Sequence, residues 1–144
     1  MNERRLHIER GDWQRLGPLA AEIRRRVFID EQAVPEAEEW DGRDPECVHF
    51  LAWHEATPVG TARLLPDGHV GRVAVLPDGR GLGIGLALMR EAIQAARDLG
   101  HASIELAAQT HALDFYRRLG FEAHGELFLD AGIAHRNMRL SLND

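Results

Sequence analysis

From Pro77 to Met89 the chain reads Pro-Asp-Gly-Arg-Gly-Leu-Gly-Ile-Gly-Leu-Ala-Leu-Met, with Gly79, Gly81, Gly83 and Gly85 set around Arg80. Each glycine costs a helix start about 0.5–1 kcal/mol against alanine, so four in so short a run imply a need for bare backbone. An anion meets that need best. The first turn of a helix presents unpaired N–H groups and the positive end of a dipole, and glycines let a diphosphate approach with no Cβ in the way. Arg80 adds a permanent charge with a forked set of donors.

Two phosphate motifs are excluded. The P-loop needs a lysine and this chain has none. The dinucleotide fingerprint fails because a third glycine counted from Gly79 or Gly81 falls on Ile84 or Leu86.

A second group with chemical potential is acidic. Asp30, Glu31, Glu36, Glu38, Glu39, Asp41, Asp44 and Glu46 face Arg43 alone between residues 30 and 46. Such a run is either a solubilising loop or an electrostatic collar for a cationic substrate. Arg24-Arg25-Arg26 just before it reads as a solvated last helical turn complementing the helix dipole. Cys47 stands two residues from His49, but no third orienting group is evident for a nucleophile pair. The eight histidines form no recognised metal spacing.

The elements that position these residues follow from periodicity. Leu6 and Ile8 open a strand that Gly11-Asp12 closes, and Asp12 is placed to cap a helix buried through Leu16, Ala20, Ile23 and Val27. Val48–His54, 59–65 and 70–76 read as a meander with turns at residues 55–58 and 66–68. The glycine turn then leads into a helix with Leu82, Leu86, Met89, Ile93 and Ala96 at helical spacing, stopped by Gly100. Ser103–Ala108 forms a strand able to lie parallel to the one before that helix, because the helix supplies the crossover. Ala112, Phe115, Tyr116 and Leu119 resume helical spacing before Gly120. Asp130-Ala-Gly-Ile-Ala-His135 turns between two last strands, in which Met138 and Leu140 alternate. The expected architecture is one mixed α/β domain over residues 1–144, with a central, mostly antiparallel sheet that splays open at one parallel pair and is flanked by helices.

Composition narrows the class. The 144 residues carry 17 basic and 23 acidic side chains, a formal net charge of -6, which disfavours non-specific nucleic-acid binding. One cysteine rules out an internal disulfide and suits a reducing, cytoplasmic setting. No apolar stretch approaches the length needed to span a bilayer, and Met-Asn-Glu-Arg-Arg leads into no signal-like segment.

Arg80-x-x-Gly83-x-Gly85 resembles the pyrophosphate signature of the GNAT superfamily of acetyl-CoA-dependent N-acetyltransferases. Ala107-Ala-Gln-Thr-His-Ala-Leu-Asp-Phe-Tyr-Arg-Arg-Leu-Gly-Phe121 resembles its second signature, and Arg24-x-x-Val-Phe-x-x-Glu-Gln32 resembles the start of a small bacterial branch whose substrates are mostly unassigned. The resemblance implies a GNAT-like fold and acetyl-CoA as cosubstrate, transferred directly to an amine within a ternary complex. It puts the diphosphate against Arg80, Gly81, Leu82, Gly83, Gly85 and Leu86, the pantetheine arm along Val73, Ala74 and Val75, and Gln109 on the cofactor side. Tyr116, the only tyrosine, is implied as the acid that protonates the leaving thiolate, since a phenol donates without being charged. Many relatives carry a glutamate base on the strand entering the glycine turn. This chain has Val70-Gly71-Arg72 there, which leaves Glu31 as first candidate, directly or through a water, with Glu105 and His111 behind it. A small cationic amine is the expected acceptor, which the acidic run would attract. The rivals are a non-catalytic acyl-CoA-binding module and a protein N-acetyltransferase. Neither the acceptor's identity, a preference for a longer acyl chain, nor a homodimer is decided by these residues.

Overall fold

In the computed structural model, residues 6–143 are described. The chain runs β1 (Leu6–Gly11), α1 (Trp13–Arg24), a π-helical segment (Arg25–Glu31), a single turn α2 (Glu36–Glu39), β2 (Val48–His54), β3 (Thr57–Leu64), β4 (Val70–Val75), α3 (Ile84–Asp98), β5 (Ser103–Gln109), α4 (Leu113–Arg118), β6 (Glu122–Asp130) and β7 (Ile133–Ser141). The first four strands form an antiparallel meander in the order β1-β2-β3-β4, while the last three pair as β5-β7-β6. β7 inserts between its two neighbours.

Helices cover both faces of the meander. Alternation along β2 sends Phe50 and Ala52 toward α3, where they join Leu64, Ile84, Leu88, Met89 and Ala92 in the larger core. Leu51 points the other way, to Leu16, Ile23, Val27 and Ala74 beneath α1. Asp12 caps α1 as its sequence suggests, its carboxylate accepting from Arg15 N at 2.9 Å.

β4 and β5 meet at one point. A parallel bridge joins His69 to Glu105, supported by Glu105 N donating to Gly68 O at 3.1 Å. Beyond it the strands part, because β4 carries a bulge. Its pairing with β3 jumps from Arg63↔Gly71 to Thr61↔Ala74, so that Arg72 and Val73 oppose the single residue Ala62, with Arg72 at φ +51°. A bulge bends its strand and raises its twist, which turns β4 away from β5.

Two sequence readings need correction. α3 starts at Ile84, not Leu82, because Gly83 sits in the left-handed region at φ +79° and breaks the helical path. Leu82 is therefore 54% exposed, and the buried stripe runs through Ile84, Leu88, Ala92 and Ala95. The second correction concerns Arg24, which is no solvated last-turn arginine but 1% exposed. Its Nε donates to Glu39 Oε2 and its Nη1 to Asp44 Oδ1, both at 2.7 Å, and its guanidinium lies 5.6 Å from the Trp13 ring centre and 5.1 Å from that of Trp40.

The candidate active site

The parting of β4 and β5 makes a cleft of about 760 Å³, a volume suited to a small-molecule site. β4 contributes Val70–Val75 to one wall, β5 contributes Leu106, Ala107 and Gln109 to the other, and Tyr116 reaches in from α4. The π-helical segment closes a third side through Val27, Phe28 and Glu31, followed by Gln32. A π turn shifts the helix register, and here Gln32 N reaches back to Val27 O at 3.1 Å. Val27 stays in the core while Glu31 and Gln32 turn to the cleft.

At the mouth, α3 begins where β4 ends. Its first helical bond runs from Ala87 N to Gly83 O, so the amides preceding Ala87 are the unpaired donors of the first turn. Gly81 and Gly83 have φ +82° and +79°, and a Cβ at either would meet no atom of the described residues within 4 Å. The backbone at these two glycines is open, as a phosphate cradle requires. Gly79 differs, since a Cβ there would stand 2.8 Å from Ile84 Cδ1. That glycine serves packing.

Arg80 lies on the rim with all three of its nitrogens engaged. Nε donates to Val75 O at 3.0 Å, and Nη1 and Nη2 grip Glu31 at 2.7 and 2.6 Å. The hydrogen bond from Arg80 lowers the Glu31 pKa, which makes that carboxylate a weaker base. Gln109 donates to Gln32 Oε1 at 3.0 Å and accepts from His111 Nε2 at 2.7 Å. Glu105 lies off the cleft, 3.7 Å from His124 Nε2.

Tyr116 is packed edge-on against Phe115 and Phe121, at ring distances of 5.0 and 5.9 Å. Burial pushes its phenol up to about 12, so it holds its proton at neutral pH. Cys47 is buried, and burial raises its thiol pKa too. That is the opposite of what a nucleophilic cysteine needs.

The acidic run is only partly a collar. Glu39, Asp41 and Asp44 turn inward to Arg24, Arg63 and Arg72: Arg63 Nη1 donates to Asp44 Oδ1 and to Asp41 Oδ1, each at 3.0 Å, and Arg72 Nε lies 3.1 Å from Glu39 Oε2. Arg63 is 4% exposed. Burial alone would lower its pKa, yet the bonds to both aspartates outweigh that and raise it. Glu36 pairs with Arg25 and Glu46 with Arg43. What remains is specific. Every arginine lining the cleft, namely Arg43, Arg63, Arg72 and Arg80, is ion-paired, whereas the cleft carboxylates Glu38 and Asp130 have no cationic partner among the described residues.

Arg63, His69 and His135 are cleft residues that escape sequence reasoning. His135 on β7 pairs with Gln109 in register, lines the cleft and is 9% exposed. Its only sequence signal is position, on the face of β7 opposite Met138, where a strand residue reads as solvent-facing.

A mixed α/β sheet that splays over a glycine-rich helix start defines an acyltransferase of the GNAT type. The family model for the acetyltransferase (GNAT) domain matches residues 14–142, and the chain belongs to that family. It is 38% identical over 120 residues to the uncharacterized N-acetyltransferase YjcF of Bacillus subtilis strain 168, covering 81% of this chain and 86% of that one. Among solved structures it superimposes on an acyl-CoA N-acyltransferase from Pseudomonas aeruginosa with a TM-score of 0.84 and 32% identity, over 94% of this chain and 99% of the other. A Bacillus subtilis acetyltransferase solved in complex with CoA has the same fold, with a TM-score of 0.69 and 22% identity over 96% and 99% of the two chains. Among the described residues no helix is long and apolar enough to cross a membrane.

Proposed function

We propose that this acyltransferase, a single domain, moves an acetyl group from acetyl-CoA to the primary amine of a small cationic acceptor, both substrates being bound at once. The observation that carries the reading is the cleft itself, open between β4 and β5 beneath the unpaired amides of α3 and walled by Tyr116. The CoA complex of the related fold supports the donor. Amides between Gly81 and Leu86 would hold the diphosphate, with Arg80 beside it, and the edge of β4 at Val73–Val75 would bond the pantetheine amides. A β4 N–H directed at the acetyl oxygen would stabilise the charge that develops there. Tyr116 supplies the proton for the departing thiolate, which a phenol kept neutral by burial can do. Gln109 orders the cofactor wall through its bonds to Gln32 and His111. Glu31 anchors Arg80.

Glu38 and Asp130 support a cationic acceptor, because they leave uncompensated negative charge where every cleft arginine is already neutralised. Release of free CoA thiol from acetyl-CoA would be followed with polyamines, amino sugars, amino-acid amides and carboxylated amines. Cationic acceptors should lead in kcat/KM at low salt, and their lead should shrink as salt rises, since exposed charges beyond about 8 Å are screened at physiological ionic strength. Glu38→Gln with Asp130→Asn should flatten that salt response. A panel led by anionic acceptors would refute the assignment.

A further inference from the structure

The amine must shed a proton, and no carboxylate stands on β4 to take it: the strand reads Val70-Gly71-Arg72-Val73-Ala74-Val75. Glu31 is held by Arg80. Three histidines line the cleft, His69, His111 and His135. His69 is exposed and paired with Asp67 at 3.1 Å, beside the bridge where the cleft closes. His111 is exposed and uses Nε2 to reach Gln109. Only His135 is both buried and fixed at two points.

Its first fixed point is a hydrogen bond of 2.7 Å between Nδ1 and the carbonyl oxygen of Ile133. A carbonyl can only accept, so Nδ1 carries the hydrogen, and in the neutral ring Nε2 is then the proton acceptor. The second is the ring of Phe128, its register partner on β6, stacked at 5.8 Å and 24°. Nε2 has no partner among the described residues, yet it is not among the side-chain nitrogens sealed from solvent without a hydrogen bond, which are Arg63 Nε and Arg72 Nε among those residues. It therefore touches solvent, in a residue that lines the cleft. The register Gln109↔His135 and Leu106↔Met138 puts His135 on the sheet face shared with Gln109, away from the core side of Met138.

We propose that His135 is the general base, accepting the acceptor amine's proton at Nε2; this rests on the acetyl-transfer reading above. The bound ammonium gives one proton to Nε2, which later passes to solvent. The nitrogen's freed electron pair forms a bond to the acetyl carbon, the carbon–sulfur bond breaks with its pair on sulfur, and sulfur takes the Tyr116 proton. The nitrogen's second surplus proton restores Tyr116. An ammonium and acetyl-CoA thus yield an amide, free CoA thiol and one proton released to solvent.

The experiment uses the full-length enzyme with acetyl-CoA and its best acceptor from the panel. His135→Asn keeps a donor for Ile133 O but has no basic nitrogen, and His135→Ala leaves room for a free imidazole. Both should lose about 100-fold or more in kcat, as general-base loss does, while the CoA-induced rise in Tm persists. Added imidazole should restore His135→Ala in proportion to its concentration and leave His135→Asn slow. His124→Ala, on β6 and outside the cleft, should turn over near the wild-type rate. Nitrogen NMR of the wild-type ring should show the Nδ1–H tautomer. An undiminished His135→Asn, an Nε2–H tautomer, or a His135→Ala that imidazole leaves slow would each overturn the assignment while transfer by the wild type still stands. A wild type that binds CoA but acetylates no amine would overturn the parent reading and this one with it.

Discussion

Arg80 grips Glu31 through two hydrogen bonds of 2.7 and 2.6 Å, joining residues 49 positions apart, and with its third nitrogen holds the carbonyl of Val75. One guanidinium thus ties the glycine turn, the end of β4 and the π-helical segment together. Both side chains are more than 40% exposed, so the pair itself should stabilise the fold by at most about 1 kcal/mol. Glu31→Gln is expected to lower the denaturation midpoint only slightly. Arg80→Ala should raise the acetyl-CoA KM more than it lowers kcat, and the opposite split in steady-state kinetics would remove Arg80 from cofactor binding.

The glycine turn makes a binding prediction. CoA at about a hundred times its Kd should add about 2.7 kcal/mol to stability, read as a rise in Tm that NAD and ATP do not produce. Gly83→Val should abolish the rise. At φ +79° a β-branched residue is strained, and its Cβ enters the space above the α3 amides. A rise with NAD and none with CoA would mean that the turn cradles another ligand.

Tyr116→Phe removes one hydroxyl and leaves the packing against Phe115 and Phe121. It should lower kcat by about 100-fold with CoA binding unchanged. The stability effect has a definite sign. A phenol raised to about 12 in the folded state contributes stability that is complete below its unfolded value near 10 and is lost as pH climbs toward 12. Denaturant titrations above pH 10 should therefore show the wild type losing stability faster than Tyr116→Phe. An equal decline in both, with unchanged kcat, would reduce Tyr116 to packing.

The arginine–carboxylate network should dominate acid stability. Arg63 holds the Asp41 pKa down, and Arg24 with Arg63 outweighs burial to hold Asp44 down. Both carboxylates contribute stability that is present above about pH 4 and lost as pH falls below it. Burial lowers the His49 pKa as well, so a smaller loss should begin below about pH 6.5, where the unfolded imidazole charges first. Arg24→Leu takes from buried Glu39 and Asp44 one of the two arginines each is paired with, leaving Arg72 and Arg63, and should cost about 3–5 kcal/mol. Arg26→Ala, at an exposed position, should cost under about 0.5 kcal/mol. Equal midpoints for these two variants in urea unfolding would refute the network's importance.

Periodicity and turn chemistry carried most of the fold. Val48–His54 is a strand from end to end, Leu16, Ala20, Ile23 and Val27 are all buried, and Asp12 caps α1. These features are local, since a strand or helix repeats its burial every two or 3.6 residues whatever it packs against. The glycine turn was legible for the same reason, because positive φ at Gly81 and Gly83 is demanded by the chain at that point. Its four glycines nevertheless looked alike in sequence, and only packing against Ile84 separates Gly79 from the rest.

What the letters could not carry was partnership. An arginine reads the same whether solvated, as Arg26 is, or buried between two tryptophans and two carboxylates, as Arg24 is. Its ion pairs span 15 and 20 residues, and they survive burial only because the fold brings the acidic run over the ends of α1 and β3. The π turn that aims Glu31 and Gln32 at the cleft leaves no periodic trace in so short a segment. His135 becomes a cleft residue only because β7 inserts between β5 and β6, which sets it beside Gln109 and under Phe128. Strand order is a long-range choice settled by how whole faces pack, and tertiary structure alone decides it.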